Sequence, residues 1–232
     1  MRTSFWTRIF DLVAPRACAV CGRRLSSNES VLCATCHLHL PLTGFEKSPD
    51  DNEMAQRFWA LIPIERAAAL FFYEAQSESA RMIYAMKYHR RPDIGESLGR
   101  ITARQFVAQG FFRDIDAIVP VPLSRWRYWQ RGYNQSEEIA RGVAHVTGLP
   151  IYNKVVRRTR FDQSQTRLSP YERRTNTEDA FLLVDGDKIR GLHLLLIDDI
   201  VTTGATILAL AKELQRAGDV RFSVLSLGYS KA

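Results

Sequence analysis

Long apolar runs are missing from the 232-residue sequence. No stretch reaches the roughly eighteen consecutive apolar residues that a transmembrane helix needs, so none is predicted. The amino-terminal stretch, residues 1–15, is apolar in character. However, Asp11 interrupts it and no small-residue cleavage site follows, so a secretory signal is not indicated. We interpret this stretch as a short amphipathic helix packed on its own domain, with membrane contact as the alternative. We expect a cytoplasmic protein, with the inner face of the inner membrane as its alternative location.

Acidic residues are scarce in two arginine-rich stretches. The net charge is +7, from 32 basic and 25 acidic residues. Between Lys154 and Arg174 there are seven basic residues and two acidic ones, and no acid lies among Arg125, Arg127 and Arg131. Such a concentration favours a polyanionic partner such as phosphate, pyrophosphate or nucleic acid. A solvated basic face without a ligand is the alternative.

The four cysteines of the chain all lie within nineteen residues, at Cys18, Cys21, Cys33 and Cys36. They form two C-x-x-C pairs, and each pair can turn both thiolates toward one point. Two such pairs supply the four sulfurs of a tetrahedral Zn²⁺ site. Disulfides are the alternative, but nothing indicates secretion. Four protein ligands leave no open position, so we expect the zinc to be structural.

The order of patterns along the chain predicts an α/β domain with a mostly parallel sheet. We expect an amino-terminal helix and cysteine module over residues 1–45, a linker over 46–62 and the α/β domain over 63–232. The linker is inferred from the stretch Pro41–Glu53, which holds Pro, Gly, Ser and four acids. The predicted strands are Ala67–Tyr73, Asp116–Val121, Ile151–Val156, Leu192–Ile197 and Phe222–Leu227. The predicted helices are Ser77–Tyr88, Ile94–Ala108, Asn134–Thr147 and Ala205–Ala217.

The segment LLLIDDIVTTGAT, residues 194–206, is the most informative one. An apolar strand leads into Asp198 and Asp199, and a short loop with Gly204 then opens a helix. The carboxyl edge of a parallel sheet is where α/β folds bind ligands. Backbone N–H groups at a helix start can surround a phosphate, and adjacent carboxylates suit a ribose diol. The alternative is a buried strand that ends in a solvated acidic turn.

This segment resembles the phosphoribosyl pyrophosphate (PRPP) motif of type I phosphoribosyltransferases. The resemblance implies that Asp198 and Asp199 face the ribose hydroxyls. It also implies that the 5′-phosphate binds to the loop formed by Thr202, Thr203, Gly204, Ala205 and Thr206, and that Mg²⁺ accompanies PRPP. Ala205 departs from the pattern, because many members carry a second glycine there.

Two further segments resemble the narrower ComF family of competence proteins. VPVPLSRWRYWQRGYNQS, residues 119–136, resembles its pyrophosphate loop, and RTRFDQSQTRLSPYERRTN, residues 158–176, its Q-T-x-L-S and R-x-x-N signature. The resemblance makes Arg125, Arg131 and Lys87 candidates for pyrophosphate or DNA contact. Surface solubility is the alternative reason for these arginines. The individual roles of the signature positions do not follow from the sequence; these are Gln165, Thr166, Arg173 and Asn176.

Two functions from different classes follow. ComF membership implies a protein of natural transformation that acts on incoming single-stranded DNA, with a competence helicase or an inner-membrane channel as further partners. Four aromatic residues among the arginines fit such a role, because they can stack on bases; packing in the core is their alternative role. They are Trp126, Tyr128, Trp129 and Tyr133. The second function is an enzyme that transfers phosphoribose from PRPP to a nitrogen base. A sensor of PRPP or a nucleotide is a third option.

Overall fold

The computed structural model of the protein describes residues 16–159 and 180–231. The expected amino-terminal helix over residues 1–15 and the signature positions at 165, 166, 173 and 176 lie outside these described residues. The fold below therefore concerns the cysteine-containing segment and the α/β part on either side of the gap.

A four-stranded parallel sheet forms the centre of the described fold. Its strand order is β1-β6-β5-β2, so the two carboxyl-terminal strands, β5 and β6, lie in the middle. A separate antiparallel pair joins β3 to β4. The strands are β1 (Ile64–Phe72), β2 (Ala117–Pro120), β3 (Val156–Arg158), β4 (Phe181–Leu183), β5 (His193–Val201) and β6 (Arg221–Tyr229).

Two short helices precede β1, and the other helices lie in the connections between parallel strands, as expected for a parallel sheet. They are α1 (Ala34–Leu38), α2 (Glu53–Gln56), α3 (Glu78–Tyr88), α4 (Pro92–Val107), α5 (Arg125–Arg131), α6 (Gln135–Thr147) and α7 (Ala205–Leu214). Short 3-10 turns lie at Phe45–Lys47 and Gln215–Ala217. A parallel sheet flanked by helices confirms the predicted α/β class.

Glycine lets α4 and α6 cross closely. A Cβ atom on Gly99 would lie 2.3 Å from the carbonyl oxygen of Ile139, and one on Gly142 would lie 2.0 Å from that of Glu96. Both distances are far below van der Waals contact, so any larger residue would push the helices apart. The crossing fixes the first turn of α6, which carries Ser136, against the sheet.

The segment predicted as a linker is folded and packed. Pro49 and Pro41 accept hydrogen bonds from backbone amides of β1, at Ala67 (2.7 Å) and Phe72 (2.7 Å). Because β1 is an edge strand, its outer backbone groups need such partners. Residues 46–62 also bury Phe58 completely. This differs from a free linker; the division of the chain into domains stays a prediction.

Two other elements differ from the sequence-based expectation. Ile151 makes only a single parallel bridge to Ile118, and the next strand begins at Val156, where it pairs with β4 instead of extending the main sheet. Residues 125–131, expected as part of a loop, form the helix α5. The described ranges contain no helix long and apolar enough to cross a membrane.

Candidate functional site

Asp198 and Asp199 lie near the carboxyl end of β5, a central strand of the sheet. The preceding residues of the strand, Leu194–Ile197, are fully buried, so the strand holds the acids at a fixed edge. The Oδ1 atom of Asp198 accepts hydrogen bonds from the Ser136 hydroxyl (3.2 Å) and from the backbone amide of Asp199 (2.8 Å). The two carboxylates are therefore positioned by the strand and by the first turn of α6 together.

The surroundings of Asp198 disfavour the ionised form of its carboxyl group. Burial raises its pKa to about 7, and the neighbouring charge of Asp199 acts in the same direction. Lys87 and the hydrogen bond from Ser136 oppose this rise without cancelling it. A ligand that brings hydrogen-bond donors or positive charge to Asp198 would stabilise its ionised form.

Lys87 reaches the acid pair from α3. Its Nζ atom lies 2.9 Å from Oδ2 of Asp199, and both side chains are largely shielded from solvent. The sequence marks Lys87 as a contact for pyrophosphate, and the structure brings it directly to the acids. Because Lys87 is in the last turn of α3, this ion pair also joins α3 to the end of β5.

The threonine loop connects β5 to α7. Gly204 has φ of +80°, a left-handed conformation that favours glycine, and it is the N-cap of α7. A Cβ atom on Gly204 would also lie 2.9 Å from the ring of Phe58. Thr202, Thr203 and Ala205 are exposed. The first amides of α7 have no partners within the helix, and the amide of Ala205 donates to the Thr203 hydroxyl (3.4 Å). Ala205 keeps a helical start without a second glycine.

The two candidate contact residues of α5, Arg125 and Arg131, lie at opposite ends of the helix. Ser124 caps its start, and Gly132, with φ of +82°, ends it. Arg125 lines an open cleft of about 1020 Å³ together with Arg157 of β3. Arg131 instead donates to Oε1 of Gln135 (2.8 Å), and its guanidinium lies 5.8 Å from the centre of the Tyr88 ring. The two candidates therefore do not form one cluster, and Arg131 is the one beside α3.

Three of the four aromatic residues in this stretch are exposed and one is not. Trp126, Tyr128 and Trp129 are exposed, with Trp129 at 86%. No residue of α5 is buried. Tyr133 is half-buried, and its hydroxyl donates to the Met86 carbonyl of α3. Tyr133 therefore fastens α3 to the loop after α5, whereas the other three face solvent.

Sequence reasoning missed the supporting role of the residues that follow Tyr133. Asn134 caps α6 by accepting from the Ser136 amide (3.1 Å) and donates its side-chain amide to the Val121 carbonyl (3.0 Å). Gln135 is 1% exposed. The N-Q-S run before a helical pattern is a capping signal, and it accounts for the placement of Ser136 against Asp198.

The four cysteines converge on one point. Their sulfur atoms all lie within 4.8 Å of one another, and Sγ of Cys21 is 3.8 Å from Sγ of Cys33. A tetrahedral zinc with bonds of about 2.3 Å has sulfur–sulfur edges of about 3.8 Å, so the cluster is compatible with zinc. The backbone amides of Cys33 and Cys36 donate to the sulfurs of Cys18 and Cys33, at 3.4 Å each.

The pKa values of two thiols in this cluster shift in opposite directions. Burial acts against the Cys18 thiolate, but backbone amides of Cys21, Cys33 and Val20 outweigh it and lower the pKa of Cys18 to about 7. Burial and the three neighbouring cysteines raise the pKa of Cys36 strongly. Four thiolates at these distances require a cation to balance their charge, which is the chemistry of a metal site.

Comparison with known proteins adds relatives along most of the chain. No protein-family model matches the chain. The DNA utilization protein YhgH of Salmonella typhi is 29% identical over 90% of this chain and 88% of its own length. The competence protein ComFC of Streptococcus pneumoniae is 29% identical over 88% of this chain and 90% of its own. Competence protein F of Haemophilus influenzae is 34% identical over 48% of this chain and 49% of its own.

The chain is similar to ComF-type competence proteins over most of its length. The ComF resemblance drawn from residues 119–136 and 158–176 is thereby confirmed. The first of these segments contains α5 and the cap of α6, so the family signature coincides with the elements that hold Lys87 and Asp198 in place. Part of the second segment lies outside the described residues.

Among solved structures, the chain is similar to a glutamine phosphoribosylpyrophosphate amidotransferase from B. subtilis complexed with ADP and GMP. The TM-score is 0.41 at 20% identity, over 60% of this chain and 30% of that chain. We base the fold on the sheet itself. A parallel sheet flanked by helices, with the acid pair and threonine loop after a central strand, is the α/β arrangement that the resemblance to type I phosphoribosyltransferases predicts.

The raised pKa of Asp198 predicts a pH dependence of stability. The unfolded chain releases this proton near pH 4, whereas the folded chain keeps it up to about pH 7. Between these values the folded state binds more protons, so its stability should fall as the pH rises. Asp198→Asn should remove this part of the slope in urea unfolding measured at about pH 5 and about pH 8. Asp187→Asn, at an exposed carboxylate, is the control and should leave the slope unchanged. Parallel curves for wild type and Asp198→Asn would contradict the assignment.

Proposed function

We propose that this chain is a competence protein that binds PRPP, or a related ribose phosphate, at the end of β5 and binds single-stranded DNA on its arginine-rich surface. The ribose-phosphate part of this proposal rests on the ion pair between Lys87 and Asp199, which lies beside Asp198 and the amino-terminal end of α7. This region brings together carboxylates that suit a ribose diol and amides that suit a phosphate. It also contains a lysine that suits a second anionic group. Its competence relatives support a role in DNA uptake.

The acid pair and the threonine loop bind different parts of the proposed ligand. In our proposal Asp198 and Asp199 accept hydrogen bonds from the ribose hydroxyls, which favours the ionised form of Asp198. The amides of α7 and the hydroxyls of Thr202, Thr203 and Thr206 hold the 5′-phosphate. Lys87 leaves its ion pair with Asp199 and binds the pyrophosphate instead. PRPP enters as its Mg²⁺ salt, which supplies charge balance for the pyrophosphate.

The ribose-phosphate part predicts that Asp198→Asn with Asp199→Asn weakens PRPP binding. Each lost charge-assisted hydrogen bond should cost on the order of 1.5–3 kcal/mol. Isothermal titration with PRPP and Mg²⁺ measures the change, and Asp185→Asn with Asp187→Asn is the matched control away from the loop. Equal affinity in wild type and the Asp198/Asp199 variant would place the site elsewhere. Gly204 is a poorer probe than it appears from sequence, because its substitution also drives a side chain into Phe58.

Turnover is the second candidate function, and the placement of Lys87 favours it. A cation that leaves Asp199 for pyrophosphate would stabilise that group as it departs. Release of pyrophosphate from PRPP, assayed with a panel of nucleobases and Mg²⁺, distinguishes an enzyme from a protein that only binds. Pyrophosphate formation that depends on one base would establish the transferase.

For the cysteine cluster we propose a structural zinc held by Cys18, Cys21, Cys33 and Cys36. Protein purified without chelator should contain about one Zn²⁺ per chain, and Cys33→Ser should lose it because one corner of the tetrahedron is removed. Elemental analysis measures both. His37→Ala is the control, since four cysteines already complete the site and the neighbouring histidine is not needed. Zinc-free protein with four titratable thiols would refute the proposal.

The DNA part predicts separable effects of charge and stacking. Single-strand affinity should fall with salt at a log–log slope of about −0.7 per phosphate contact. Arg125→Ala with Arg131→Ala should flatten this slope, whereas Trp129→Ala should reduce affinity and leave the slope nearly unchanged. Fluorescence anisotropy with a labelled oligonucleotide measures both, with Arg190→Ala as a control arginine on the surface. No binding at about 50 mM salt would refute the DNA part and leave the ribose-phosphate part standing.

A further inference from the structure

A groove runs between the cysteine-containing segment and α3. Its volume is about 760 Å³, and it is lined by residues 18–20 and Gly22 on one side and by part of the segment 73–89, without Glu74 and Glu78, on the other. We refer to it as the α3 groove. Neither the acid pair nor α5 contributes to its described lining, although the groove shares Lys87 with the proposed ribose-phosphate site and Cys18 with the cysteine cluster.

Aromatic rings in this groove face solvent. Tyr84 and Tyr88 are one helical turn apart on α3, and their ring centres are 4.6 Å apart. Tyr84 is 57% exposed and Tyr88 is 50% exposed. The ring of His89 meets Tyr84 edge-on, with centres 5.6 Å apart. Exposed, mutually supported rings are the arrangement on which unpaired bases stack.

The charge of the groove suits a phosphate backbone. Its described lining includes Arg81, Lys87 and His89, and it includes no aspartate or glutamate. Arg23 and Arg24 lie next to the Gly22 wall in the sequence. A positively charged groove with aromatic rings is complementary to a single strand of nucleic acid, in which both the bases and the phosphates are accessible.

The α3 groove continues onto α5 through Arg131. The guanidinium of Arg131 lies over the Tyr88 ring, and Arg131 is the last residue of the helix that exposes Trp126 and Trp129. The Nε atom of Arg131 and Nε2 of Gln135 are buried donors that have no hydrogen-bond partner within residues 16–159 and 180–231.

We propose that the α3 groove is a second contact surface for single-stranded nucleic acid, in which a base stacks on Tyr84. The strand passes from α5 across Arg131 and Tyr88 and then between α3 and the cysteine-containing segment. This extends the proposed DNA binding, on which it rests, and it gives the cysteine cluster the role of holding one wall of the groove.

Two measurements test the groove with the full-length protein. The first is anisotropy with a labelled single-stranded oligothymidine. Tyr84→Ala should weaken binding by about tenfold at an unchanged salt slope, because one base loses its stacking partner. Tyr84→Phe keeps the ring and should bind like wild type. Trp59→Ala, at an exposed aromatic outside the α3 groove and α5, is the matched control and should also bind like wild type. PRPP affinity should be the same in all four proteins.

The second measurement is photocrosslinking of an oligonucleotide that carries 5-iododeoxyuridine, followed by mass spectrometry. We expect adducts on the peptide that contains Tyr84 and Tyr88. If wild type binds the oligonucleotide but Tyr84→Ala binds equally well and adducts form only on α5, the groove proposal is wrong and the α5 surface remains. If wild type binds no oligonucleotide, both are wrong. A change in the oligomeric mass of Tyr84→Ala without a change in DNA affinity would assign the groove to contact between copies of the chain.

Discussion

The structure depends on keeping two adjacent carboxylates at the end of a buried strand. Asp198 and Asp199 repel each other, and burial further disfavours the charge on Asp198. Their neighbours reduce this cost from two directions. Ser136 donates to Asp198 from α6, and Lys87 pairs with Asp199 from α3. These two contacts fix α6 and α3 in position at the carboxyl end of the sheet.

Much of the surrounding architecture follows from that requirement. Ser136 can reach Asp198 only because α6 packs closely against α4 through Gly99 and Gly142. Lys87 reaches Asp199 from the last turn of α3, where the Tyr133 hydroxyl binds the preceding carbonyl. The loop that contains the ComF signature therefore holds the end of α3 in position. Its contribution to the site is largely one of positioning, whereas the groups that can meet a ligand are the acids, the lysine and the threonine loop.

The sequence was most informative where a single local pattern determines the structure. Continuous apolar residues before Asp198 predicted β5, and the two C-x-x-C pairs predicted a convergent cysteine cluster; both are confirmed. It failed where tertiary contacts decide. Residues 46–62 have the composition of a linker, but Phe58 packs under Gly204 and the segment just before covers the edge of β1. Such packing leaves little trace in composition. The helix α5 was recoverable, because Ser124 and Gly132 are ordinary start and stop signals. The domain boundaries and the roles of the site residues remain predictions.

Lys87 links the two binding surfaces that we propose. Its ammonium group pairs with an acid of the ribose-phosphate site, and the same residue lines the α3 groove between Tyr84 and Tyr88. A ligand that draws Lys87 away from Asp199 acts on the end of α3, and α3 carries both tyrosines. By thermodynamic linkage, any effect of a ribose phosphate on affinity for a single strand must be matched by an equal effect of the strand on affinity for the ribose phosphate. In this proposal the two sites influence each other through one side chain, because the same helix contributes to both.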